Sequence, residues 1–160
     1  MYKIRSGVFE TNSSSVHTIV IQKDKERSIY PIDVKTGCYG WSREYLATPS
    51  EKASYFYTAL CDLYYNDPEK ADAIITELMP EVIRHDCTFE RDDSFGIDHF
   101  DELRPWVEDL MKDRDKLMRF IFGKESYVFT RNDNMDYDEY KDDIVPDEDN
   151  TEYDVFIKYN

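Results

Sequence analysis

The sequence predicts an α+β fold, an antiparallel sheet with about three helices packed on one face, folded as a single domain over residues 1–160. Three observations lead there. Residues 16–22 alternate as a strand does, yet both sides are mostly apolar: His17, Ile19 and Ile21 on one, Val16, Thr18 and Val20 on the other. From about residue 48 to 121, apolar residues recur every three or four positions, the helical period. The chain then returns to β-branched and aromatic runs, "SYVFT" at 126–130 and "YDVFIKY" at 153–159. Strands, then helices, then strands is the order expected of segregated α+β packing.

Taken in order, residues 2–5 and 16–22 read as strands, the second a central one. After "KTGCYGW", the run Thr48-Pro49-Ser50-Glu51 offers a hydroxyl cap, a proline at the first helical position and a glutamate at the third. A helix follows to about residue 65, with Ala53, Phe56, Tyr57, Leu60, Leu63 and Tyr64 along one stripe. Asp67-Pro68-Glu69 restarts a second helix with Ala71, Ile74, Ile75 and Leu78 inward. A third is expected from Pro105 to Ile121, where Trp106, Leu110, Met111, Leu117, Phe120 and Ile121 share a side and Gly123 follows as a stop. Its other face alternates in sign from Glu108 to Lys116, as a water-facing surface does. The two C-terminal runs are expected to pair, with an acidic loop at about 131–152 between them.

Charge is the strongest signal. The chain holds 35 Asp and Glu against 20 Lys and Arg, a net charge of -15, with 41% hydrophobic and 15% aromatic residues to fill a core. Residues 1–50 carry 7 basic and 5 acidic residues, 51–130 carry 10 and 19, and 131–160 carry 3 and 11. Such a chain repels phosphate backbones and anionic membranes, which excludes direct nucleic-acid binding through a basic surface. It favours cations or basic proteins as partners. Residues 132–154 interrupt their acids with Tyr137, Tyr140, Ile144, Val145 and Tyr153, apolar surface that a purely solvating tail does not need.

The chain shows no basic-then-apolar leader and no apolar run near the roughly 18 residues of a membrane span, so it reads as cytoplasmic. Cys38, Cys61 and Cys87 are odd in number and never form a CxxC pair; they are expected to be reduced and buried. No cofactor or metal is expected. His85, Asp86, Cys87, His99 and Asp101 match no zinc spacing. Asn132, Asn134, Asp136 and Asp138 alternate like calcium ligands, but Tyr137 stands where the turn needs glycine. With 5 glycines there is no phosphate-cradling loop.

One stretch carries possible nucleophile chemistry: Glu10, the hydroxyls Ser13, Ser14 and Ser15, and His17. A nucleophilic serine needs a base and a group that orients it. Ser15 and His17 share a face if the strand begins at Ser15. Against an enzyme stand the missing GxSxG elbow and the habit of Ser, Thr and Asn to form turns before strands. The turn reading is preferred, and no catalytic residue is assigned.

The phrase "GVFETNSSSVH" at 7–17 resembles the opening of a group of uncharacterised proteins from bacteriophages and mobile elements of Gram-positive bacteria. That resemblance implies an origin rather than an activity. In charge and size the chain is similar to acidic DNA mimics and anti-CRISPR inhibitors. It is therefore expected to block the basic groove of a host defence nuclease, most concretely a CRISPR RNA-guided nuclease, since Arg and Lys that clamp phosphates also clamp carboxylates. The expected contacts are Asp136, Asp138, Glu139, Asp142, Asp143, Asp147, Glu148 and Asp149, with Tyr137 and Tyr140 as aromatic anchors. The alternative is a small hydrolase or group-transfer enzyme using the Glu10, Ser13–Ser15 and His17 cluster.

Overall fold

The computed structural model describes residues 15–23, 28–83, 94–132 and 152–158. Along them run β1 (Ser15–Gln22), β2 (Cys38–Tyr39), β3 (Glu44–Leu46), α1 (Pro49–Leu63), α2 (Pro68–Leu78), β4 (Gly96–Ile97), α3 (Phe100–Lys112), α4 (Arg114–Phe122), β5 (Tyr127–Asn132) and β6 (Tyr153–Lys158). The class is α+β. No helix among the described residues is long and apolar enough to cross a membrane.

α1 starts where the capping residues place it. Thr48 accepts the Glu51 backbone N–H, and the Glu51 carboxylate accepts the Thr48 N–H at 2.9 Å and that of Ala47 at 3.1 Å. The Thr48 N–H is also the chief reason the Glu51 carboxyl titrates below its ordinary range. Every residue from Lys52 to Cys61 is buried, so α1 is the central helix of the core rather than a one-striped surface helix. Lys52 is fully buried on it, its Nζ donating to the Gly123 and Ser126 carbonyls, each at 2.8 Å. That side chain ties α1 to the turn before β5. Burial lowers its pKa to about 8.

The single helix expected over 105–121 is two. α3 begins at Phe100, five residues before Pro105, with Asp101 and Glu102 in its first turn, where the helix dipole favours acids. Asp113 then leaves helical geometry (φ -119°, ψ 88°), closing α3 and capping α4 by accepting the Lys116 N–H at 2.9 Å. The alternating charges there pair off, Lys116 with Asp109 at 2.7 Å and Arg119 with Asp115 at 3.2 Å, while Arg114 reaches across to Glu81.

The main sheet has the order β3-β5-β1-β6, all neighbours antiparallel. β1 is central, as its two apolar faces require. β5 and β6 therefore pair with β1 on either side and not with each other, which corrects the expected pairing: both run against β1 and so run parallel to one another. Asn132 lies opposite Ser15 and Tyr153 opposite Gln22. The chain leaves the sheet at one end of β1 and re-enters it at the other. β2 and β4 form a separate two-stranded parallel pair.

One core cluster joins Ile19, Ile21, Leu46 and Val128 of the sheet to Tyr55, Phe56, Leu60, Leu103, Trp106 and Phe120 of the helices. A second cluster, on the opposite sheet face, holds Val20, Tyr127 and Phe129 with Tyr153 against them and contains no helix residue. Of the two described cysteines, Cys61 is buried as expected and Cys38 is exposed. Cys38 begins a two-residue strand whose neighbour Tyr39, rather than the thiol, points inward.

Candidate functional site

Because β1 begins at Ser15, Ser15 and His17 point to the same side of the strand, towards α1 and β4. The Ser15 Oγ lies 3.1 Å from His17 Nε2, and Nδ1 of the same ring lies 2.8 Å from the Tyr55 hydroxyl on α1. Ser15, His17 and Tyr55 are all fully buried. The Tyr55 ring packs edge-on against Tyr39 at 5.0 Å and tilted against Trp106 at 5.9 Å. Gly40 seals the imidazole: at φ 102° it adopts a conformation L side chains avoid, and a Cβ there would lie 2.8 Å from Nε2 and 2.9 Å from the Asp98 Cβ.

The direction of these hydrogen bonds follows the imidazole tautomer. Burial, before any neighbouring charge, holds the Tyr55 hydroxyl far above the usual phenol range, so it stays protonated. A protonated phenol can donate to an imidazole or accept from it, so the two tautomers of His17 run the relay in opposite senses. With the ring proton on Nε2 the imidazole donates to Ser15 Oγ; with it on Nδ1, Nε2 accepts from Ser15, the polarity a serine nucleophile needs. The Ser15 hydroxyl also lies 3.4 Å from the Asp98 carbonyl, to which it donates. As built, the relay pins β1 to α1 and β4.

Of the cluster expected from sequence, Ser15 and His17 are brought together, while Glu10, Ser13 and Ser14 lie outside the described residues. So do all ten residues expected to contact a partner, Asp136, Tyr137, Asp138, Glu139, Tyr140, Asp142, Asp143, Asp147, Glu148 and Asp149, as well as His85, Asp86 and Cys87. Among the described residues, no group of three or more His, Cys, Asp or Glu is arranged to hold a metal ion.

Sequence reasoning missed Tyr55, which bonds the second nitrogen of the His17 ring, and it missed Asp62. The latter lines an open cavity of about 390 Å³ with Tyr65, His99, Phe100, Asp101 and Glu102. Asp62 Oδ2 accepts the Ile97 N–H at 2.8 Å, and burial raises its pKa to about 6 despite that bond. Acids thus converge at the C-terminal turn of α1 and the start of α3, a surface that disfavours anions. Trp41 and Tyr65 are exposed large aromatics, 53% and 73% accessible. Comparison with protein-family models, curated proteins and solved structures finds no match to this chain.

Proposed function

We propose that the protein is an acidic inhibitor of phage or mobile-element origin that mimics DNA and occupies the basic nucleic-acid groove of a host defence nuclease, most concretely an anti-CRISPR protein acting in the host cytoplasm. The observation that carries this reading is the charge: -15 overall, with 11 acids against 3 basic residues over 131–160. Support comes from how that stretch is attached. β5 before it and β6 after it are both laddered to the central strand, so the acids sit on a connection held at both ends rather than on a free tail. Holding it at both ends lowers the entropy lost when a partner orders it. Carboxylates then meet Arg and Lys by charge-assisted bonds, and opposite charge speeds the encounter at low salt.

Replacing Asp138, Glu139, Asp142 and Asp143 by Lys, and measuring DNA cleavage by an RNA-guided nuclease with and without the protein, tests the proposal. Inhibition should be lost while the circular dichroism spectrum is kept. Unchanged inhibition in a folded variant refutes it. Raising the salt concentration should weaken the complex steeply.

The 3.1 Å Ser15–His17 contact favours a second reading, a small hydrolase or group-transfer enzyme. We place it second because both side chains are fully buried, out of a substrate's reach. His17→Ala separates the two: an enzyme loses nearly all turnover, whereas a mimic keeps its affinity as long as β1 stays packed.

A further inference from the structure

β5 and β6 run parallel to one another with β1 between them, so the chain that joins them crosses β1 on one of its two faces. Nineteen residues, 133–151, make that crossing. They start from Asn132, opposite Ser15, and end at Glu152, whose carbonyl accepts the Lys23 N–H at 2.9 Å beyond the other end of β1. One face of β1 is already filled, since His17, Ile19 and Ile21 point at the helices. The other carries Val16, Thr18 and Val20 beside Arg131, Phe129 and Tyr127 of β5. Val16, Thr18, Val20, Tyr127 and Phe129 are all buried, yet the apolar cluster there holds no helix residue. A buried sheet face without a helix needs another cover.

Chirality selects between the faces. Gln22 sends its N–H to Ser126 Oγ, on the β5 side, and Lys23 sends its own to Glu152, on the β6 side, each at 2.9 Å. Odd-numbered residues of β1 therefore bond towards β6 and even-numbered ones towards β5. On an upward strand, an L-residue whose side chain points at the viewer sends its N–H and C=O to the right. Seen from the helices, where the odd-numbered side chains point, β6 thus lies to the right of β1 and β5 to the left. Both run downward in that view, and a connection from β5 to β6 is right-handed only if it passes behind the sheet, over the helix-free face. Parallel strands of one sheet are joined right-handedly in about 98% of cases. Length agrees: crossing the helix-free face takes about 45 Å, passing outside the helices takes about 65 Å, and nineteen residues extend to about 65 Å at most. Charge agrees as well, because Arg43, stacked on Phe129 at 5.7 Å, and Arg131, opposite Val16, stand on this face, and residues 133–151 hold 9 Asp and Glu against 1 Lys. We propose that the helix-free face is the docking site of residues 133–151, with Ile144 and Val145 near the middle of that segment set against Val20 and Phe129, and its acids turned outward as a negative surface for a basic partner. The placement rests on sheet topology and not on the inhibitor reading, which supplies only the nature of the partner.

Nuclear Overhauser spectra of the full chain, labelled at its isoleucine and valine methyls, test the placement, with Ile144→Val and Val145→Ile assigning the two residues. Methyls of Ile144 and Val145 should show cross-peaks to the Phe129 or Tyr127 ring and upfield ring-current shifts. Replacing both residues by Asp should lower the folding constant from urea unfolding by at least about tenfold, because it puts charge against a buried apolar face, while Ile144→Leu should stay close to the parent. Cross-peaks from these methyls only to helix residues, or to none, overturn the proposal, as does another segment of the chain found against Phe129 in their place. An Asp pair that leaves the urea midpoint unchanged overturns it too. None of these readouts involves a nuclease, so failure of the inhibitor reading leaves them standing.

Discussion

The Tyr55 hydroxyl on α1 lies 2.8 Å from Nδ1 of His17 on β1, and this bond sets the polarity of everything beyond it. A Tyr55 hydroxyl that donates across this bond requires the imidazole to accept on Nδ1 and donate from Nε2. ¹⁵N spectra of the His17 ring should accordingly show a protonated Nε2 and an unprotonated Nδ1 at neutral pH. Tyr55→Phe should leave Nδ1 buried without a donor and cost about 1–3 kcal/mol in urea unfolding. A loss near zero would mean the bond does not hold the strand.

Gly40→Ala tests how closely β2 and its following turn press on the same ring. The new methyl meets Nε2 at 2.8 Å and the backbone is held at φ 102°. A loss of about 1–3 kcal/mol is expected from the conformation alone, with the His17 ring resonances displaced. Unchanged resonances would show that the turn moves away freely.

Alkaline pH should first strengthen the fold and then weaken it. Lys52 has a folded pKa of about 8 against an ordinary value of 10.5, so the unfolded chain binds the extra proton between those values and stability rises with pH across that window. Tyr39 and Tyr127 are pushed up to about 12 from 10.0, chiefly by burial, so the unfolded chain ionises first there and stability falls from about pH 10 to 12. Urea midpoints from pH 7 to 12 should pass through a maximum. In Lys52→Met the rising limb should vanish, whatever the cost of leaving the Gly123 and Ser126 carbonyls without their donor.

Asp62 gives the acid-side counterpart. Burial pushes its carboxyl up to about 6 in the folded protein from an ordinary 3.8, so its ionisation opposes folding: stability is intact below about pH 3.8 and is lost as pH rises through about 6. Asp62→Asn keeps an acceptor for the Ile97 N–H and removes the ionisation. The variant should be more stable than the parent at pH 7, by on the order of 1 kcal/mol once solvent screening is allowed for, and equal to it near pH 4. An equal gain at both pH values would assign the effect to packing instead.

The parts of this fold legible in the sequence are those decided by neighbouring residues. Thr48 and Glu51 announce α1 because a capping box needs no distant partner, and the alternation in β1 declares it central because both its faces are apolar. Pro105 misled for the opposite reason: read as a first helical residue, it sits inside a helix whose start is set by Phe100, Asp101 and Glu102. Asp113 divides α3 from α4 in a run of charges where one more aspartate draws no attention. Sheet order was hidden, since the neighbours of Ser15 and Gln22 are Asn132 and Tyr153, more than a hundred positions away. The site followed the same rule. Ser15 and His17 are two residues apart and share a strand face, so their contact was foreseeable, whereas Tyr55 becomes a polar feature only through burial that packing confers.

The place of β1 in the sheet bears on how the protein is made. Its strand is synthesised more than a hundred residues before either strand that ladders to it, β5 or β6. Helices α1 to α4 have local contacts and can form while the ribosome is still at work, but β1 waits with both edges and two greasy faces unpaired. The sheet is therefore completed only once β6 is in place, and a chain cut short before it leaves one edge of β1 unpaired, the kind of edge that invites pairing with another chain.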